Sequence, residues 1–73
     1  MSEFLSMDQV FINKLTEIVK ANLSDENFNV KKLAKEAGIS QTTILRRLKI
    51  IKNKDITEFL REIRLQRAME LLL

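Results

Sequence analysis

The chain has 73 residues, no Cys, no His, no Pro and one Gly, enough for one small domain whose core is marginal without help from a partner surface. Absence of Cys and His excludes a disulfide framework, a zinc site and any Cys or His nucleophile or general base, so no enzyme is expected and no cofactor is implied. The net charge of +3 is modest, and no apolar run approaches the ~20 residues of a membrane span.

Leu, Ile, Lys and Glu dominate, the composition of helices joined by short loops, so the expected fold class is all-α. Met1 to Met7 has no positively charged stretch ahead of an apolar one, and reads as a flexible leader rather than a secretory signal. A first helix is predicted from about Asp8 to Asn22. Phe11, Leu15, Ile18 and Val19 share one face, and polar Asn22 stops the stripe. Ser6 or Asp8 caps its start, and Ser6 with Gln9 has capping-box spacing. Ser24 to Asn27 is a polar loop, after which Phe28 returns an aromatic ring to the core.

Asn29 is placed to cap a second helix, Val30 to Ala37, whose Val30, Leu33, Ala34 and Ala37 form an i, i+3, i+4, i+7 face. Gly38 supplies the left-handed residue that ends it. Ile39 plugs the turn and Ser40 caps a third helix, Gln41 to about Lys52. Ile44, Leu48 and Ile51 form its inner stripe, with Leu45 beside it. Gln41, Thr42, Arg46 and Lys49 lie opposite, and Asn53 is suited to end the helix in a left-handed conformation.

Asp55 caps a fourth helix that starts at Ile56 and meets no breaker. With Ile56 at 0° and ~100° per residue, Phe59, Leu60 and Ile63 fall between about 300° and 40°. Leu65, Ala68, Met69 and Leu72 fall between about 120° and 220° on the same wheel. The apolar face switches sides halfway along. One small lobe cannot bury both halves, so the second half is expected to meet another lobe or another copy of the chain.

Val30 to Lys49 has helix-turn-helix spacing. Two helices crossing at ~90–120° need a small residue where they touch, and Ala34 provides it. Ile39 and Ile44 pin the second helix to the first, leaving its N-terminal half exposed to enter a groove ~12 Å wide. Charge agrees with that reading. Residues 37–54 carry Arg46, Arg47, Lys49, Lys52 and Lys54 with no acid, while the segments on either side are each −1. A polyanion is the natural partner. Gln41, Thr42 and Arg46 are suited to base edges and Leu45 to a thymine methyl. Thr43, Arg47, Lys49 and Lys31 are suited to phosphates, as are the amides that open the second and third helices. The blander readings are an ordinary helical corner, a Thr43 that only supports the cap, and an Arg47 paired with a carboxylate of the fourth helix.

Three segments, Leu33 to Ser40, Leu45 to Lys49 and Glu58 to Ala68, together resemble the DNA-binding domain of the arabinose-regulator (AraC/XylS) family of bacterial transcription factors. The third looks like that family's linker helix, with its Arg-Leu-x-x-Ala signature at Arg64, Leu65 and Ala68. The resemblance implies a leader at 1–7, a helix-turn-helix lobe at 8–53 and a linker helix at 54–73. A second lobe would belong beyond Leu73 and is absent here, so the chain is expected to be half of a two-lobed reader. It also implies that Thr42, Leu45 and Arg46 match the family's base-reading positions. The motif is similar to domains that end bacterial hybrid two-component regulators. The expected function is sequence-specific binding of double-stranded promoter DNA in the cytoplasm, without membrane contact by this segment. The alternative is a helical interaction or dimerisation module that uses Leu65, Ala68, Met69 and Leu72.

Overall fold

Four caps divide the chain into four helices, each set by a polar residue that takes up an otherwise orphaned amide. The computed structural model describes residues 6–72, apart from the side chain of Leu72. The expected leader therefore lies largely outside the described residues. Helix α1 (Met7–Ala21) opens on Ser6, whose hydroxyl accepts the Gln9 N–H at 3.0 Å. Helix α2 (Val30–Ala37) opens on Asn29, whose side-chain Oδ1 accepts the Lys32 N–H at 3.0 Å. Helix α3 (Gln41–Lys52) opens on Ser40, and α4 (Ile56–Leu72) on Asp55, which accepts the Glu58 N–H at 2.8 Å. The described residues contain helices and no strand, so the fold is all-α.

Two helix ends take the left-handed conformation, Gly38 at φ 70° and Asn53 at φ 55°. Each amide closes its helix, Gly38 onto the Ala34 carbonyl and Asn53 onto the Lys49 carbonyl. The reversals let α1 pack on α2 and α4, and α2 on α3. Leu15, Leu33, Ile44 and Leu48 are fully buried, one or two from each of the first three helices. Phe28 fills the core from the loop, as its isolated position in a polar segment predicted.

The inner face of α1 is Phe11, Ile12, Leu15 and Val19, with Ile18 only partly buried. Ile12 was not in the predicted stripe. A helix flanked by two neighbours buries a wider arc than one, and α1 lies between α2 and α4. Asn22, where the stripe stops, donates to the Ile18 carbonyl at 2.8 Å and to Glu36 Oε2 at 3.1 Å, tying α1 to α2.

Helix α4 divides as its sequence divides. Phe59, Leu60 and Ile63 are buried and Ile56 packs against the core. Beyond them Leu65 is 59% exposed and Met69 58%, and Ala68 is exposed. The side chain of Leu72 lies outside the described residues.

Candidate nucleic-acid interface

The turn between α2 and α3 decides how α3 is presented. Ala34 is buried, and its carbonyl accepts both the Gly38 N–H at 2.9 Å and the Ile39 N–H at 3.2 Å. The chain reverses around that one oxygen. Ser40 then organises the first turn of α3. Its hydroxyl oxygen accepts the Thr43 N–H at 3.2 Å, and its O–H donates to Thr43 Oγ1 at 2.8 Å. Ile39, half-buried, packs on the core from within the turn.

With Ile44 and Leu48 at 0% exposure, the opposite side of α3 is fixed. Thr42, Leu45, Arg46 and Lys49 stand there at i, i+3, i+4 and i+7, all exposed. Gln41 is exposed at the start of the helix. Among the described residues, the side chains of Gln41, Thr42, Arg46 and Lys49 form no hydrogen bond or ion pair. Their donors and acceptors remain available to a ligand.

The electrostatics sharpen on folding. Of the five cations in residues 37–54, Arg47 and Lys54 are engaged within the chain. The Arg47 guanidinium lies 4.1 Å from the centre of the Phe11 ring and 3.6 Å from Asp8 Oδ1. Lys54 Nζ bonds Glu62 Oε1 at 2.6 Å. Arg46, Lys49 and Lys52 form no ion pair among the described residues. On a wheel of ~100° per residue Arg46 and Lys49 lie ~160° and ~140° from Ile44, and Lys52 lies ~80° from it on the flank. Unbalanced positive charge therefore runs from the outward face of α3 to its flank.

The candidate residues separate into groups. Gln41, Thr42, Leu45, Arg46 and Lys49 come together on one surface. Lys31 is exposed on the first turn of α2. Its neighbour Lys32 pairs with Asp25 at 3.1 Å. The backbone amide of Asn27, and then Lys32, hold the Asp25 carboxyl below its ordinary value. Thr43 and Arg47, expected at phosphates, are occupied by the Ser40 cap and by α1. The carboxylate that Arg47 meets is on α1 and not on the fourth helix. Lys52 was not singled out from the sequence. It follows Lys49 at i+3, and that spacing was the available signal.

A family profile described as the Mga helix-turn-helix domain matches residues 3–71. The chain belongs to the Mga helix-turn-helix domain family. This is a DNA-binding helix-turn-helix family and not an enzymatic one. Its helix-turn-helix character agrees with the motif at Val30 to Lys49. Among curated proteins, the chain is similar to one named Histidine kinase P4 from Formosa agariphila, 39% identical over 67 residues. That match covers 92% of this chain and 5% of the relative, so the chain spans a small part of the relative's length. No solved structure matches. Among the described residues no helix is long and apolar enough to cross a membrane. No group of His, Cys, Asp and Glu among them is arranged to hold a metal ion.

Proposed function

We propose that this Mga helix-turn-helix domain reads double-stranded promoter DNA in a sequence-specific way, with α3 in the major groove. The carrying observation is the stripe Thr42, Leu45, Arg46 and Lys49, outward-facing and opposite the buried Ile44 and Leu48. Arg46 holds guanine by two hydrogen bonds, Gln41 and Thr42 meet neighbouring base edges, and Leu45 contributes an apolar contact. Lys49 and Lys31 contact phosphates and set the register of the helix in the groove. Thr43 and Arg47 hold α3 in place, because their polar groups are already engaged.

The finer proposal is an AraC-type arrangement, in which residues 8–53 are the first helix-turn-helix lobe and α4 is the linker to a second. Support comes from the division of α4. Its first half is buried at Phe59, Leu60 and Ile63, and its second half leaves Leu65, Ala68 and Met69 uncovered. A second lobe seated on that face completes the reader. The relative named a histidine kinase supports a place in a two-component regulator acting in the cytoplasm, with this segment as the DNA reader. The same uncovered face supports the second reading, a dimerisation module that pairs α4 with its copy.

The test is a fluorescence-anisotropy titration of this chain against DNA selected from a random pool, repeated across salt concentrations. The proposal expects a preferred sequence, an affinity of micromolar or weaker for one lobe, and a strong fall in affinity with salt. Equal affinity for selected and scrambled duplexes contradicts it.

A further inference from the structure

We propose that Leu45 makes the half-site depend on one thymine 5-methyl group, within about two base pairs of the guanine held by Arg46. This rests on the reading that α3 enters the major groove. Leu45 is 41% exposed, while its neighbours Ile44 and Leu48 are fully buried. The core under α3 is already filled by those two side chains and by Ile51. Leu45 instead shares the outward stripe with Thr42, Arg46 and Lys49, three polar residues. An isopropyl group held in a polar, cationic stripe has no hydrogen bond to offer. It is blind to the N7, O6, O4 and amino groups that the other three address. The 5-methyl of thymine is the apolar feature of the major-groove edge, and it matches the side chain in chemistry.

Position limits where that thymine lies. Leu45 and Arg46 are consecutive, ~1.5 Å apart along the helix axis and ~100° apart around it. Their side chains therefore reach base pairs one or two steps of ~3.4 Å from each other. The other strongly exposed aliphatic residue of α3, Ile50 at 75%, is ~140° round the helix from Leu45 and lies one turn beyond Arg46. Ile50→Ala is therefore the control, and it should leave the effect of deoxyuridine unchanged.

Removing one methyl from an apolar contact weakens binding by about three- to tenfold, from ~0.8 kcal/mol per buried methylene and its spread. The experiment takes the duplex preferred by the chain and replaces each thymine singly by deoxyuridine, which deletes only the methyl. The expected result is one position at which the wild-type chain loses about three- to tenfold in affinity. Leu45→Ala should bind the thymine duplex that much more weakly and lose nothing further with deoxyuridine at that position. Leu45→Met, which keeps an apolar contact, should stay sensitive. Circular dichroism checks that each variant is helical. If Leu45→Ala is unfolded, the wild-type scan and Leu45→Met decide the matter. A scan in which no thymine matters overturns the proposal, as does a Leu45→Ala chain that remains as sensitive as wild type. The two failures are distinguishable. Loss of all sequence preference on natural DNA removes the major-groove reading, whereas intact preference with no deoxyuridine effect removes only the role of Leu45.

Discussion

Arg47 lies across the ring of Phe11, its guanidinium carbon 4.1 Å from the ring centre, and it reaches Asp8 at 3.6 Å. One side chain thus joins α3 to the first turns of α1. The pair with Asp8 is largely exposed and contributes little. The cation–π contact and the packing of the half-buried Arg47 side chain carry more.

Arg47→Ala should therefore destabilise the fold by about 1 kcal/mol. For a chain of this size that lowers the melting temperature by roughly 4–8 °C. It should leave the salt dependence of DNA binding unchanged, because its guanidinium is held by Phe11 and Asp8. Lys49→Ala should do the opposite, keeping the melting temperature and reducing the slope of log K against log salt by about 0.9. Thermal melts and salt titrations on the two variants separate a brace from a phosphate contact.

The left-handed helix ends give a second prediction. A methyl group added at Gly38 meets nothing within 4 Å, but the residue stands at φ +70°. Gly38→Ala should cost about 1–2 kcal/mol through backbone strain alone. Asn53 has φ 55° and already tolerates that region. Asn53→Gly should leave stability within about 0.5 kcal/mol of wild type, since Gly relieves strain and adds entropy to the unfolded chain. Urea midpoints measure both.

Helix α4 should respond to charge in halves. Ile63 is buried and Leu65, two residues on, is mostly exposed. Ile63→Lys should unfold the chain, because it buries an unpaired charge. Leu65→Lys and Met69→Lys should change stability by no more than about 0.5 kcal/mol. If the uncovered face pairs with its copy, sedimentation at rising concentration shows a growing mass that either of those two variants abolishes.

Asp25 sets a pH dependence. Its carboxyl is held below 3.8, first by the Asn27 amide and then by Lys32. Because the folded value lies below the unfolded one, the stabilisation is full above pH ~4 and is lost as pH falls through the folded value. Asp25→Asn should remove that part of the acid sensitivity. An NMR titration of the Asp25 carboxyl should give a midpoint below 3.8, and a midpoint at or above that value contradicts the assignment.

What the sequence made legible is local. Ser6, Asn29, Ser40 and Asp55 cap amides three residues ahead, so each cap is written in a short window. The bounds of α2 and α3 follow from those caps together with Gly38 and Asn53. The division of α4 was visible too, as a change of phase in its apolar positions. The arc of α1 was not, since its width depends on two neighbours rather than one, and Ile12 was missed for that reason. The contacts of Arg47 were not legible for a related cause. Its partners Phe11 and Asp8 lie more than thirty positions earlier in the chain, and only packing brings them together. The outward stripe was legible in nearly all its members, because the period of a helix fixes which residues oppose Ile44 and Leu48.

The outward stripe of α3 should discriminate sequence. The most direct measurement compares wild type and Arg46→Ala on the selected duplex and on a duplex changed only at the guanine assigned to Arg46. Wild type should prefer the guanine duplex by about 1–3 kcal/mol, and Arg46→Ala should bind both alike. An Arg46→Ala chain that keeps the full preference would contradict the claim.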